Sequence, residues 1–244
     1  MILELDCGNS LIKWRLVDKP MGIITPVTAV DSVDELLLQL MHAPTPKRGR
    51  LVSVRTEQET QAIVQELSQA LQIPVAIARP ASVLAGVTNG YDEPERLGMD
   101  RWLAVVGAYQ LTQKACLVID LGTAVTVDLV TASGKHLGGF ITPGLPMLRG
   151  QLQQHTRRVR YSDAEAREAL ATTSPGSNTG QAVERGCLMM LRAYIERQIR
   201  EADHHLGIGF SILATGGDAG LIADLLDVSC IPDLVFEGLA IACP

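Results

Sequence analysis

Apolar positions along this chain switch between a period of two and a period near 3.6, and the switch recurs in each half. In the first half the pattern predicts strands over 2–6 and 11–17 and a further strand within 22–30. A helix is predicted over 33–41, a short strand over 51–54 and a helix over 57–71, where Ile63, Leu67 and Leu71 share one face. A strand over 74–78 follows. Residues 80–98 are rich in Gly, Pro, Asn and Asp and are expected to form an exposed loop. The next helix is expected from Gly98 or Met99 to about Gln113, with Trp102, Val105, Val106 and Tyr109 inward. The second half repeats the scheme. Strands are predicted over 116–120, 124–130 and 136–141, a helix from about 146, and a long helix over 179–202. A strand over 210–214, a helix through 225, a strand over 228–231 and a last helix over 234–241 finish the chain. Strands followed repeatedly by helices predict an α/β fold with sheets covered by helices.

One motif stands in both halves. The first copy is Ile2-Leu3-Glu4-Leu5-Asp6-Cys7-Gly8-Asn9-Ser10, and the second is Leu117-Val118-Ile119-Asp120-Leu121-Gly122-Thr123-Ala124. The two aspartates lie nearly half the chain apart, which predicts a duplicated domain with a phosphate held between its halves. A strand ending in Asp-x-Gly places a carboxylate at the mouth of a sheet. Gly8 and Gly122 are expected to take positive φ in a tight turn and to let a ligand approach the backbone. Turn N–H groups make an anion-binding concavity, and Ser10 and Thr123 add hydroxyls. Lys13, on the outgoing strand, is placed to reach a terminal phosphate. Two carboxylates facing a polyphosphate require a cation between them, and Mg²⁺ fits because it takes oxygen ligands. A single Asp-x-Gly is a common hairpin turn; two copies in the same strand context point to the phosphate site.

A third glycine turn, Thr215-Gly216-Gly217-Asp218, follows an apolar run. Read alone it is an ordinary strand-to-helix turn with Asp218 as cap; glycines there also allow a nucleobase or ribose to pass close. Asp100, just after Gly98, read alone is a first-turn carboxylate favoured by the helix dipole.

Together these segments resemble the actin-like ATPase superfamily of sugar kinases, acetate kinases and Hsp70 chaperones, and more narrowly the type III pantothenate kinases. The narrower resemblance rests on Gly98-Met99-Asp100-Arg101, Asp120 to Ala124 and Gly138-Gly139-Phe140-Ile141-Thr142-Pro143-Gly144. The first turn and Thr215-Gly216-Gly217 are shared with the wider superfamily. Ser10 stands where the family usually has Thr, and a hydroxyl is kept. The resemblance implies a duplicated actin-like (ribonuclease H-like) two-lobed fold with mixed sheets, divided here at 1–114 and 115–244 from the repeat offset. It implies ATP-dependent phosphorylation of the primary hydroxyl of pantothenate, the first step of coenzyme A synthesis. Asp100 is then the general base and Arg101 the partner of the substrate carboxylate. Tyr91, Gly98, Met99 and Thr179 complete the substrate contacts. Asp6, Gly8, Asn9, Ser10, Lys13, Gly122, Thr123, Gly216 and Gly217 are expected at ATP and its phosphates, with Asp6 and Asp120 on the metal. A monovalent cation, K⁺ or NH₄⁺, and a homodimer are implied as well. The rivals are another sugar or carboxylic acid kinase of the superfamily, and a non-catalytic transcription accessory factor.

Composition narrows the field. The net charge of −6 argues against nucleic acid as a bulk electrostatic partner. Aromatic residues are 4% of the chain against 47% hydrophobic overall, so the core is expected to be aliphatic. The five cysteines are scattered without a Cys-x-x-Cys pair, as expected of free thiols in a reducing compartment. No segment reaches the roughly 20 apolar residues of a membrane helix, and a cytoplasmic protein is expected. Lys47, Arg48 and Arg50 are expected in a solvated turn. Arg149, Arg157, Arg158 and Arg160 are expected on a solvated helix face, and Glu184 and Arg185 exposed or locally paired. None of the histidines makes a site.

Overall fold

The computed structural model describes residues 1–18, 22–172, 174–225 and 227–244. By its internal contacts the chain forms two units, Met1–Leu111 with Asp233–Pro244, and Thr112–Pro232.

The first unit is built on a mixed sheet. Its strands are β1 (Ile2–Cys7), β2 (Ile12–Asp18), β3 (Gly22–Ile23), β4 (Thr28–Val30), β5 (Arg48–Ser53) and β6 (Val75–Ile77), in the order β3-β2-β1-β5-β6 with β4 also on β2. β1 pairs antiparallel with β2 and parallel with β5. Helices α1 (Val33–Leu40) and α2 (Glu57–Leu71) supply the crossovers. Both begin on a side-chain cap. Ser32 accepts from the Glu35 N–H, and Thr56 and Glu59 form a reciprocal capping box. The core between these helices and the sheet is aliphatic apart from Trp14, with Leu3, Leu5, Ile12, Leu16, Leu36, Leu51 and Leu67 fully enclosed.

Residues 80–98 are more ordered than their composition predicts. They hold a hairpin, β7 (Val83–Leu84) and β8 (Val87–Thr88), and a 3₁₀ turn at Pro94–Arg96. Ala85 and Gly86 both take positive φ at the hairpin tip, as a two-residue turn of this hand requires. Asn89 ties the segment together. Its N–H donates to the Ser82 carbonyl, its side-chain amide donates to the Pro94 carbonyl at 3.3 Å, and its side-chain oxygen accepts from Tyr91 N–H at 3.0 Å. Helix α3 (Met99–Thr112) follows and is buried from Met99 to Ala108 except at Asp100.

The basic turn expected to end at Arg50 ends sooner, because β5 already starts at Arg48. Arg50 is buried, not solvated. It flanks Glu4 on β1 from one side while Arg15 on β2 flanks it from the other, and both guanidinium groups donate to the fully buried Glu4 carboxylate. The charges on these strands therefore meet across the sheet instead of facing water. Arg15 also reaches Asp233 at 2.7 Å and stacks over Phe236, and Arg50 donates to the Cys243 carbonyl at 2.7 Å. These contacts hold the C-terminal helix, whose sequence position follows the second unit, in the first unit.

The second unit repeats the sheet. Strands β9 (Cys116–Leu121), β10 (Ala124–Val130), β11 (His136–Pro143), β12 (Ser211–Thr215) and β13 (Val228–Cys230) lie in the order β11-β10-β9-β12-β13. β9 pairs antiparallel with β10 and parallel with β12, as β1 does with β2 and β5. Helices α4 (Leu145–His155), α5 (Asp163–Ala169) and α6 (Thr179–Leu206) complete it. The pattern of apolar positions does not predict α5, although its Ser162–Glu165 capping box is a start signal. The helix expected after Gly217 is only a 3₁₀ turn, Ala219–Ile222. Among the described residues no helix is long and apolar enough to cross a membrane.

Helix α7 (Leu234–Ala242) crosses α3 at two glycines. A Cβ on Gly238 would stand 2.0 Å from the Leu103 carbonyl oxygen, and one on Gly107 would stand 2.7 Å from that of Leu234. Helix propensity alone favours Ala over Gly by about 1 kcal/mol. The contact is with backbone, which has no rotamer to give, so overpacking of about 1–3 kcal/mol or more decides the sign. Gly238→Ala is therefore expected to destabilise the chain by about 2 kcal/mol, read as a lower midpoint in urea.

Candidate active site

Both Asp-x-Gly turns close on the central strand of their sheet. β1 and β9 are buried along their length except at one residue, and in each that residue is the aspartate. Asp6 stands opposite Lys13 on β2 and Val52 on β5; Asp120 stands opposite Thr126 on β10 and Thr215 on β12. The alternation of the strands fixes this, since the side chains before and after each aspartate fill the core.

In the first unit Asp6 is partly buried and its pKa is pushed up to about 6. Burial is the main cause and the Asp100 carboxylate adds to it, while Lys13 opposes both. Asp100, in the first turn of α3, thus acts on Asp6 through space. The Cys7 thiol beside it is pushed up to about 12 by burial and by Asp6, and stays protonated. Asn9 and Ser10 are exposed at the turn. Arg101 is buried, donates to the Tyr91 hydroxyl at 2.7 Å and lies over its ring, with 5.6 Å from guanidinium carbon to centroid. Asp100 accepts from the Arg101 N–H at 2.7 Å. Tyr91, Asp100 and Arg101 are thereby brought together, with Gly98 and the buried Met99 on the chain between.

In the second unit two glycines pack against the Asp120 turn. A Cβ on Gly144 would stand 2.2 Å from the Gly122 carbonyl oxygen, and the Gly144 N–H donates to Thr123 at 2.9 Å. A Cβ on Gly216 would stand 2.4 Å from both Asp120 Oδ1 and the Leu121 carbonyl oxygen. Gly216 is at φ +90, and Gly217 has nothing within 4 Å of the Cβ it lacks. Contrary to expectation, neither Gly8 nor Gly122 has positive φ, and it is Gly216 that does. The close approach is at Gly216, where the chain leaving β12 passes against Asp120 and the Leu121 carbonyl and the Asp218 N–H donates to that carbonyl at 3.0 Å.

Thr179 is the exposed first residue of α6 in the second unit, and the capping falls to Asn178, which accepts from the Gln181 N–H at 2.9 Å. Two expectations about charge are overturned. Glu184 is fully buried, accepting from the Tyr161 hydroxyl at 2.8 Å and pairing with Arg149 at 2.9 Å. Arg149 therefore turns inward from α4, and its charge also bears on Asp218 beside the Gly-Gly turn. Glu184 shares the buried face of α6 with Gly180, Cys187, Leu188 and Leu191, so helical spacing places it inward and only its charge reads as solvated.

Every group at these turns that offers itself to a metal is an oxygen donor. Among the described residues there is no cluster of three or more His, Cys, Asp or Glu able to hold an ion. A cation would therefore rely on one or two carboxylates and on ligand phosphates, the habit of Mg²⁺.

The sequence pattern of type III pantothenate kinases matches residues 2–201. A type III pantothenate kinase of Pseudomonas syringae pv. syringae (strain B728a) is 54% identical over all of this chain and 99% of its own length. One from Pseudomonas aeruginosa (strain LESB58) is likewise 54% identical over the same shares. Among solved structures, a conserved Baf-family protein from Campylobacter jejuni superposes with a TM-score of 0.63 at 20% identity, over 98% of this chain and 96% of that one. The activator of 2-hydroxyisocaproyl-CoA dehydratase from Clostridium difficile, with bound ADPNP, gives 0.53 at 10% identity, over 99% and 92%. These two likenesses show the actin-like fold. The full-length identity shows the family, and the chain belongs to the type III pantothenate kinases.

Proposed function

We propose that the chain transfers the γ-phosphoryl group of ATP to the primary hydroxyl of pantothenate, giving 4′-phosphopantothenate, with Asp100 as the base. The observation that carries the residue assignment is Asp100 itself: a carboxylate at the start of a buried helix, flanked by the Tyr91–Arg101 pair and electrostatically coupled to Asp6. The acceptor hydroxyl attacks phosphorus, the bond from the γ-phosphorus to the bridging oxygen breaks, and the hydroxyl proton passes to Asp100. Arg101 and Tyr91 hold the acceptor carboxylate, for which a guanidinium is well shaped. Thr179 adds a hydroxyl to the substrate contacts.

Asn9, Ser10 and Lys13 in the first unit, and Thr123 and the Gly216-Gly217 turn in the second, act on the nucleotide and its phosphates, with Gly8 and Gly122 leaving their backbone open. Asp6 and Asp120 carry the metal. Mg²⁺, when bound, neutralises charge on the phosphates. A monovalent cation, K⁺ or NH₄⁺, activates. The protein works as a homodimer, for which the exposed Phe140 and Ile141 of β11 and Met189 and Met190 of α6 offer apolar surface.

Asp6 gives this reading a pH dependence. Its folded pKa lies above the ordinary 3.8, so ionisation costs folded stability. That cost is absent below about pH 3.8, grows as pH rises, and is complete above about pH 6. A divalent ion needs the ionised form. Mg-ATP affinity is expected to tighten as pH rises through about 6 and then level off. A flat profile between about pH 5 and 8 would remove Asp6 from the metal.

An acceptor panel tests the substrate. Pantothenate is expected to be phosphorylated in preference to hexoses, acetate and other short hydroxy acids. Faster turnover of a sugar or a simple acid would assign the chain a different acceptor.

A further inference from the structure

We propose that Arg55 is a positioning residue for the nucleotide, acting through the Gly8 carbonyl; this rests on the reading of the first-unit turn as a phosphate turn. Arg55 lies two residues beyond the end of β5. Its Nε donates to the Gly8 carbonyl oxygen at 2.8 Å. Just before it, the Val54 N–H donates to the Cys7 carbonyl at 3.2 Å. The Arg55 N–H is held in turn by Ser53 Oγ at 3.2 Å, and that oxygen also accepts from the Thr60 hydroxyl at 2.8 Å. The segment after β5 is thus anchored to α2 and grips two successive carbonyls of the Asp6–Gly8 turn.

The consequence follows from peptide planarity. The Gly8 carbonyl and the Asn9 N–H belong to one rigid plane and point in opposite directions. Holding the carbonyl toward Arg55 aims the Asn9 N–H the other way, out of the turn. Gly8 carries no side chain to restrain this peptide, and a Cβ there would meet only the Leu11 carbonyl oxygen at 3.3 Å. Rotation of this peptide unit is the soft motion of the turn, and Arg55 is the group that stops it. An N–H already aimed at an anion costs no reorganisation when the phosphate arrives.

The surroundings distinguish Arg55 from its neighbours. It borders a cavity of about 300 Å³ together with Arg79, Arg96, Gly98 and Met99. Arg79 is held by Glu57 through two bonds of 2.7 Å, and Arg96 by Glu93 at 3.2 Å. The arginine beside the turn instead spends its Nε on backbone, and its charge is felt at Cys7, next to Asp6. One side chain therefore touches the nucleotide turn and also lines the approach to Gly98, two residues before Asp100.

The test compares wild type with Arg55→Ala, Arg55→Lys and Arg55→Met. Binding of Mg-ATP is measured calorimetrically without acceptor, and steady-state KM values for ATP and pantothenate are measured separately. Arg55→Ala is expected to weaken Mg-ATP binding about tenfold, raise KM for ATP alike, and leave KM for pantothenate within about twofold. Arg55→Lys, which keeps the charge and a donor, is expected to recover most of the loss. Arg55→Met keeps the apolar stem and serves if alanine unfolds the chain. Unchanged Mg-ATP binding in the folded Ala or Met variant would overturn the proposal. So would a lysine variant as weak as alanine, or KM values for both substrates rising together. If pantothenate is not the acceptor, the calorimetric arm still reads Arg55 on its own.

Discussion

Asp100→Asn is expected to lower kcat by about 10²–10⁴-fold while the protein stays folded. The size follows from what the substitution removes. Asparagine keeps the side-chain oxygen that accepts from the Arg101 N–H at 2.7 Å, so the first turn of α3 keeps its local bond. It also keeps the volume beside Gly98, where a Cβ would come within 2.9 Å of Asp100 Oδ1. What it loses is the capacity to accept the hydroxyl proton during transfer. KM for ATP is expected to change little, because Asp100 touches the acceptor. A second effect is specific to this geometry. The Asp100 charge helps to hold the Asp6 pKa up near 6, so its removal should move the acid limb of Mg-ATP binding to lower pH. A variant that keeps more than about a third of wild-type kcat would take the base role from Asp100.

Glu4→Ala is expected to cost about 3–5 kcal/mol of stability, a large fraction of the total for a domain of this size. Glu4 is fully buried between two buried arginines. Bringing three charges into the core is itself costly, and an apolar replacement of all three could match the present arrangement. Removing only the carboxylate is different. Arg15 would keep Asp233 at 2.7 Å and Glu237 at 3.3 Å, and Arg50 the carbonyls of Cys243 and Ala240. The Nε of each arginine would face a void with no acceptor. The loss should appear as a lower urea midpoint, together with faster hydrogen exchange in α7, which these arginines hold. Exchange unchanged in α7 would show that the apolar and glycine contacts hold that helix without them.

Much of the architecture is legible in the order of residues, for physical reasons that differ from place to place. The central strands are legible because each is buried on both faces: β9 reads as an apolar run up to its aspartate, and β1 reads alike except for Glu4. The pairing of the two halves is legible because the same run recurs. Family membership is carried by Gly98 to Arg101 and Gly138 to Gly144. The second of these segments has a visible physical reason, since Gly144 sits where any side chain would strike the Asp120 turn. The Gly216 turn is legible for the same reason, although the positive φ belongs there and not to Gly8 or Gly122.

What is not legible depends on partners far apart in sequence. Arg50 reads as a surface charge until Glu4 is placed next to it across β1 and β5. Arg149 and Glu184 each read as solvated helix residues, yet Glu184 is buried and the half-buried Arg149 turns in to pair with it. The return of α7 to the first unit carries no motif, and it depends on the close crossing at Gly107 and Gly238. The order within residues 80–98 comes from Asn89, whose main-chain N–H and side-chain amide together make three bonds, and which composition counts only as a loop former.

Phosphoryl transfer to pantothenate is the reaction on which the roles of Asp100 and Arg101 depend. Its most direct test is to incubate the purified protein with ATP, Mg²⁺ and pantothenate, with and without K⁺ or NH₄⁺, and to identify the product by mass and by phosphorus NMR. 4′-Phosphopantothenate is expected to form in step with ADP, faster when the monovalent cation is present. ATP consumed without that product, or no turnover of pantothenate in any cation, would contradict it.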